Sequence, residues 1–324
     1  MKLLTVGACF AWAMIVPLQA SEGSPVPPAA PSHQAQIASV PFAPPLDAPL
    51  RYRWEKTVDK DGKIAMSWSV SDYRFTEFDK GYRLTITPVS AGSNESDPDR
   101  LALEKKLEAL INLPFVLRLD ENGSIEQLEN AEKYWSTIMV VLREELTRMS
   151  NKDDSINSRQ AVKAVMEMFE KMPAEARLAL LIEGVQPVVE FGNTETETGK
   201  PLLTTVEGAS PFGGTIKRNM VISLAKIADQ TAYLSVRSTI PRGELEKLTT
   251  TVVERFAQLP GDKRSEMKAG LAALADFRHD TTSDYQVSLE DGMLLKFHSI
   301  ETVEVSEKAA KRRRVTTRSI ALID

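Results

Sequence analysis

Residues 50–70, LRYRWEKTVDKDGKIAMSWSV, alternate between apolar and polar side chains on either side of one turn. The apolar positions before and after the turn are Tyr52, Trp54, Val58, Ile64, Met66, Trp68 and Val70. Period-two alternation is typical of a strand with one buried face, and Asp59-Lys60-Asp61-Gly62 ends in a typical hairpin turn. We therefore predict a β-hairpin in which Trp54 and Trp68 face each other, packed in the core or lining the mouth of a cleft.

The same alternation recurs along the chain and is interrupted by segments with helical spacing. Further strands are predicted near residues 82–87, 115–119, 125–128, 216–224, 234–240, 285–289, 295–297 and 315–322. Helices are predicted from about Asp97, over Asn130 to Met149, from about Ser158, from Pro173 to Gly184, and from about Pro241 and Asp262. Residues 192–201, which are rich in Thr and Glu, are predicted as a loop.

Half-apolar strands joined by hairpins pair antiparallel, and amphipathic helices cover their apolar face. The predicted fold class is α+β, a curved antiparallel sheet with helices packed on one face. The order strands, helix, hairpin occurs twice, which predicts two related halves with a helical segment between them. The predicted units are a first β-rich half (50–129), a helical segment (130–199) and a second β-rich half (200–324), with 50–324 forming one compact unit.

The N-terminus has the features of a secretory signal peptide. Lys2 provides one positive charge, an apolar run follows from Leu3 to Val16, and cleavage is expected near Ala20. The run is too short for a spanning helix, so no transmembrane span is expected in the mature chain. Cys9 lies within the apolar run and would be removed with residues 1–20. Residues 21–49 are rich in Pro and Ala and are predicted to be a solvated linker.

Composition narrows the function classes further. The 324 residues carry a formal net charge of −5, which argues against a nucleic-acid binder. Three histidines and one cysteine leave almost no ligands for a zinc site, so no metal and no cofactor are expected. Together with the N-terminal features, this composition is typical of an exported protein, and we predict a location in the Gram-negative periplasm.

The order of strands and helices from about Leu50 to Leu322 resembles that of periplasmic lipoprotein-carrier-like (LolA-like) proteins and of uncharacterised secreted bacterial families with the same plan. The resemblance concerns architecture and transfers no site residue. It implies binding of a lipid or a lipidated protein without catalysis. A sheet that curves around helices can leave an apolar cleft between its layers. The candidate ligand-binding residues are Trp54, Trp68, Met166 and Phe169.

The sharpest charge run is Lys311-Arg312-Arg313-Arg314, the candidate basic surface. Alternation in a strand would place Arg312 and Arg314 on one face and the other two residues on the opposite face. Such a run either contacts anionic headgroups or an acidic partner, or guards a sheet edge against pairing with another strand. Arg51 and Arg53 would join it if the first and last strands are neighbours.

Catalytic patterns are weak, and the prediction is that the protein is not an enzyme. His298 and His279 stand in strand-like segments without a nucleophile motif, and Asp59-Lys60-Asp61-Gly62 lacks the rest of a calcium loop. The predicted function is an exported protein that binds an apolar or lipidated ligand in a sheet–helix cleft. The alternative is an envelope protein-interaction module with a filled core and no ligand, and a hydrolase is the least favoured class.

Overall fold

A large antiparallel sheet dominates the structure, a computed structural model that describes residues 35–94, 114–152, 156–209, 215–241, 278–307, 310–323 and a few positions between 243 and 250. The strands in chain order are β1 (Ile37–Val40), β2 (Leu50–Lys60), β3 (Lys63–Phe78), β4 (Gly81–Ser93), β5 (Phe115–Leu119), β6 (Ile125–Leu128), β7 (Thr194–Glu197), β8 (Leu202–Ala209), β9 (Thr215–Ala228), β10 (Thr231–Thr239), β11 (Arg278–Ser288), β12 (Leu294–Glu307) and β13 (Ala310–Leu322).

Within the described residues, eleven strands form one sheet in the order β6-β5-β4-β3-β2-β13-β12-β11-β10-β9-β8. Each strand pairs antiparallel with its neighbours. The N-terminal strands form one side of the sheet and the C-terminal strands the other, and the two sides join where β2 pairs with β13. The first and last long strands are therefore central neighbours.

The hairpin read from residues 50–70 is confirmed. Strands β2 and β3 pair from Leu50 with Tyr73 to Lys60 with Lys63. The two turn residues, Asp61 and Gly62, both have positive φ, 53° and 83°, as a two-residue hairpin turn requires. The Gly62 N–H donates to the Asp59 carboxylate at 2.9 Å, so this carboxylate closes the turn.

The α+β prediction is wrong, because the described residues are mostly β: 57% lie in strands and 21% in helices. The strands extend well past the apolar stretches from which they were predicted, and β3 alone has 16 residues. Its polar residues continue the hydrogen-bonded ladder with β4 even where they bury little apolar surface. Of the predicted helices, the one from Asp97 and the one from Asp262 lie outside the described residues, as does most of the one from Pro241.

Four helices lie between β6 and β7: α1 (Ala131–Lys152), α2 (Ile156–Glu170), α3 (Ala174–Ile182) and α4 (Gln186–Val189). The three predicted in this segment are confirmed in α1, α2 and α3. The described helices divide between two apolar cores. Helix α4 packs in the main core against the sheet, whereas α1 and α2 form a second core with Ala176 of α3, Ile216 of β9 and Ile240, which follows β10.

Strands β1 and β7 form a separate two-stranded ribbon. Both lie where no strand was expected, β1 within the predicted linker and β7 within the predicted loop. Ala38, Val40 and Phe42 are nevertheless almost fully buried in the main core. These three buried side chains cannot be inferred from a proline-rich composition, because only tertiary contacts distinguish them from their neighbours.

The ribbon shows that the sheet is strongly curled. Asn193, just before β7, donates to the Asn122 side chain in the β5–β6 turn, and Thr198, just after β7, bridges to Leu224 of β9. Five residues of chain span at most about 18 Å. Strands β5 and β9 are eight positions apart in the sheet, or about 38 Å along its surface. The sheet must therefore bend around the ribbon and α4, and we call the face that holds them the concave face.

Candidate ligand-binding face

Along each central strand, the side chains of the concave face change from buried and apolar to exposed and charged. Alternation puts Tyr52, Trp54, Lys56, Val58 and Lys60 of β2 on this face. Tyr52 is 2% exposed and its hydroxyl donates to the Leu294 carbonyl at 2.9 Å, whereas Lys60 is exposed. We call the Tyr52 side of the concave face the apolar end and the Lys60 side the charged end.

The apolar end is filled. Phe75, Leu84 and Leu117 are 0% exposed and belong to the same core as the ribbon and α4. Aromatic rings pack edge to face there, for example Phe42 on Tyr82 with ring centroids 5.3 Å apart. Because the apolar end is filled, we look for a ligand-binding site at the charged end of the concave face.

An ion-pair network occupies the centre of the charged end. The Arg318 guanidinium of β13 lies 3.0 Å from Glu301 of β12 and 3.1 Å from Glu183, which follows α3. The Glu301 side chain is only 7% exposed. Because a buried carboxylate is costly without a counter-charge, Arg318 is needed to keep Glu301 in place. The network also ties the end of α3 to the middle of the sheet.

Like charges face each other across the two central strands. Lys56 pairs with Arg318, and Lys60 pairs with Arg314, both on the concave face. Lys60 also pairs with Lys63 in the hairpin. Directly opposed like charges destabilise an antiparallel pair, by roughly 0.2–1 kcal/mol each. The central register therefore holds positive charges together at a cost in stability.

The pKa values reflect this crowding. Burial lowers the pKa of the Lys56 ammonium below its ordinary value, and the charges of Arg318 and Arg314 lower it further, while Glu183 and Glu301 oppose the shift. On the far side of the concave face, burial also lowers the pKa of Arg218 in β9, while Glu183 and Glu301 oppose that shift.

Small side chains line the concave face beside these charges. On β3 they are Ala65, Ser67 and Ser69, and Ala91 of β4 pairs with Ser69. All four are at least partly exposed. We call this strip of small side chains on β3 and β4, together with the neighbouring Trp54 and Val58 of β2, the groove.

The structure does not bring the four predicted ligand-binding residues together. Trp54 lies on the concave face, partly buried against the main core. Trp68 lies on the convex face, with the Arg53 guanidinium 5.0 Å from its ring centre. Met166 and Phe169 are buried in the second core. Of the four, only Trp54 borders the groove.

The expectation that the two tryptophans face each other is wrong. Trp54 pairs with Ser69, and Trp68 pairs with Glu55, so the two rings point to opposite faces of the sheet. The two-residue turn at Asp61-Gly62 sets this register, and counting outward from that turn would have given the correct partners.

The basic run Lys311–Arg314 lies in β13, which is hydrogen-bonded to β12 on one side and β2 on the other. Its interpretation as an edge guard is therefore wrong, since this strand is at the centre of the sheet. Arg314 lies on the concave face, while Arg313 lies on the convex face, 3.8 Å from Glu304. The side chains of Lys311 and Arg312 lie outside what the structure describes.

The remaining candidates from the sequence lie away from the groove. Arg51 and Arg53 are on the neighbouring strand of the basic run, but at the opposite end, near Ala321. His298 lies in β12 on the convex face, opposite Asp284. His279 lies in β11, and its side chain is not among those described.

Sequence reasoning missed Lys56, Glu301 and Arg318, although each leaves a trace in the sequence. Lys56 interrupts the apolar positions Trp54 and Val58 on one strand face, and Glu301 does the same between Phe297 and Val303. An ionisable residue on the apolar face of a strand indicates a buried charge that needs a partner. The identity of that partner depends on strand pairing, which alternation does not provide.

Within the described residues, no helix is long and apolar enough to cross a bilayer, and no group of three or more His, Cys, Asp or Glu side chains is arranged to hold a metal ion.

No protein-family model and no curated protein matches the chain. Among solved structures it is similar to a chain from "Lipid-protein interactions in lipovitellin", with a TM-score of 0.41 and 7% sequence identity. The match covers 85% of this chain and 25% of that chain, so this chain spans about a quarter of that protein's length. A similarity at this level establishes neither a shared fold nor a shared function.

Proposed function

We propose that the chain is an exported, non-enzymatic protein of the periplasm that binds an apolar or lipidated ligand in the groove of its concave face. The observation that carries this proposal is the groove itself. Its floor of small side chains projects little from β3 and β4, and Trp54 and Val58 offer apolar surface along β2. An extended acyl chain fits such a groove, because it needs apolar contact along its length and little depth.

The charged groups support binding better than catalysis. A general acid or base needs a carboxyl group free to exchange a proton with a substrate. Glu301 instead holds Arg318 at 3.0 Å in a nearly buried ion pair, and Glu183 shares the same guanidinium. Both carboxylates thus have structural partners at the place where a substrate would have to reach them.

Export rests on the sequence of residues 1–20, with their basic start, short apolar run and small residues at the expected cleavage position. N-terminal sequencing of the mature protein should begin near Ser21, and an intact Met1 would contradict the signal-peptide assignment. The resemblance to lipoprotein-carrier-like proteins favours the same compartment and the same class of ligand.

Ligand binding can be tested by blocking the groove. Val58 lies on the concave face and Thr57 beside it on the convex face, so Val58→Trp and Thr57→Trp are matched variants of β2. Binding of a dansylated undecanoic acid to delipidated protein should weaken about tenfold or more for Val58→Trp, a loss of about 1.4 kcal/mol, and remain unchanged for Thr57→Trp. Native mass spectrometry of gently extracted wild-type protein should also show a lipid mass. Equal binding by both variants, or a protein that carries and binds no lipid, would refute the proposal.

The edge strand β8 favours a second candidate function, docking onto another envelope protein. In the described sheet β8 pairs with β9 alone, and Leu203 on it is 72% exposed. An apolar edge strand can pair with a strand of a partner. A photo-crosslinking residue at position 203 should then capture one envelope protein that the same residue at Val89, an exposed position of β4, does not capture. Identical labelling from both positions would argue against this function.

A further inference from the structure

Four cations at the charged end form no direct ion pair with a carboxylate of the described residues. They are Lys56, Lys60, Lys63 and Arg314, and we call them the cationic strip. The two nearby carboxylates, Glu183 and Glu301, both bind Arg318. The register nevertheless sets Lys60 between Arg314 on one side and Lys63 on the other. Such an arrangement gains stability only when an anion joins it.

Arg314 carries a more specific indication. Its Nε atom is buried and has no hydrogen-bond partner. A buried N–H group without an acceptor costs free energy, and it costs more on a charged guanidinium. Phosphate and carboxylate oxygens are the acceptors that a guanidinium binds most strongly. An oxyanion would supply the acceptor that Arg314 Nε lacks.

The cationic strip adjoins the groove directly. Lys56 and Lys60 flank Val58 on the concave face of β2, and Lys56 pairs with Ser67 on the floor of the groove. An amphiphile whose chain lies beside Trp54 and Val58 would therefore place its polar head among these cations.

We propose that the cationic strip binds the anionic headgroup, phosphate or carboxylate, of a lipid whose acyl chain lies in the groove. This inference rests on the proposed function and specifies its ligand class. The pairs Lys56–Arg318 and Lys60–Arg314 are four residues apart, about 13 Å along the strands. A free phosphate ion can reach only one pair, whereas a lipid headgroup with its glycerol backbone extends from the strip to the groove.

The test compares two lipids that differ only in headgroup charge. Short-chain phosphatidylglycerol and phosphatidylcholine with the same acyl chains are titrated calorimetrically into the delipidated full chain. The anionic lipid should bind at least about fivefold more tightly, as expected for one cation near an anionic group. Arg314→Gln should lose about that factor for phosphatidylglycerol and leave phosphatidylcholine unaffected. Arg313→Gln, on the opposite face of the same strand, should change neither.

Each other outcome has a definite meaning. If neither lipid binds, the proposed function fails together with this inference. If both bind equally, the function stands and the headgroup site is refuted. An equal loss of phosphatidylglycerol affinity in Arg314→Gln and Arg313→Gln would also refute the headgroup site. Displacement of phosphatidylglycerol by inorganic phosphate at comparable concentration would show a phosphate site instead of a lipid site. Thermal unfolding of both variants checks that each remains folded.

Discussion

The central strands β2 and β13 run from a packed end to an open one, and the two ends of the concave face are stabilised differently. At the apolar end, Tyr52 and Ile320 are almost fully buried beneath the ribbon and α4. At the charged end, the same strands bring Lys60 opposite Arg314. Alternation alone assigns all four side chains to one face. Segments far away in the chain determine which end is covered.

The two ends differ in what they contribute, because the apolar end supports stability and the charged end supports ligand binding. Apolar burial at one end stabilises the fold without specifying a ligand, while opposed cations at the other end destabilise it slightly. Natural proteins tend to break local rules at functional sites. If this comparison is right, substitutions at the apolar end should reduce stability and substitutions in the cationic strip should not.

The largest effect is expected from Phe75→Ala at the apolar end. Phe75 is 0% exposed and packs against Phe42 of the ribbon segment. Loss of the ring should lower the free energy of unfolding by about 3–5 kcal/mol, measured by urea denaturation. Thr76→Ala, its exposed neighbour on the same strand, should change it by less than about 0.5 kcal/mol. Similar losses in the two variants would contradict the assignment of the core to the concave face.

Arg318→Met should follow, with a loss of about 3 kcal/mol in the free energy of unfolding, because it leaves Glu301 buried without this counter-charge. The matched variant is Arg313→Met on the same strand, whose ion pair with Glu304 is exposed and should contribute less than about 1 kcal/mol. If the two variants lose the same amount, Glu301 does not depend on Arg318, and the network at the charged end is an ordinary surface ion pair.

The surroundings of Phe75 and Arg318 also illustrate which features can be predicted from the sequence and which cannot. The alternation over residues 50–70 and the spacing of α1, α2 and α3 are local patterns, and the structure has the expected elements there, whereas the continuation of β3 to Phe75 was not predicted. The partners of Arg318 come from β12 and from the end of α3, so they follow from strand order and not from spacing. The ribbon was missed for the same reason, since β1 and β7 are more than 150 residues apart.

The candidate site was predicted only in part. Trp54 borders the groove, as its place on the buried face in the alternation suggested. The prediction for Trp68 was wrong because the strand register was not counted from the turn. Arg314 was singled out as part of a charge run, but its neighbours Lys56 and Lys60 were not, because each is a single charge in an apolar or mixed segment. A run of charged residues can be seen in a sequence, whereas charges that come together only through strand pairing cannot.

A buried carboxyl group at the apolar end should make the stability of the protein depend on pH. Glu190 at the apolar end accepts a hydrogen bond from the Tyr285 hydroxyl at 2.7 Å, and burial raises the pKa of Glu190 above its ordinary value. A raised pKa means that the folded state keeps this proton after the unfolded chain has lost it. The free energy of unfolding should therefore fall as the pH rises from about 4.5 through the raised pKa.

The size of this change is about 1.4 kcal/mol for each pKa unit of the shift. Glu190→Gln keeps a hydrogen-bond acceptor for Tyr285 without the titration, so it should remove this part of the pH dependence and stabilise the protein at neutral pH. Urea denaturation at several pH values measures both effects. An unchanged pH profile in the variant would show that Glu190 is solvated in the folded protein.

The smallest effect is expected from Lys60→Ser, and its sign matters more than its size. Lys60 faces Arg314 and Lys63 across its two neighbouring strands, so its removal should raise the free energy of unfolding by about 0.5 kcal/mol. The gain should shrink in high salt, which screens exposed charges. Lys80→Ser, in the exposed turn between β3 and β4, changes the net charge equally and should leave stability unchanged. A loss of stability in Lys60→Ser would mean that the charged end is held together by its cations, and the division between a stabilising end and a ligand-binding end would fail.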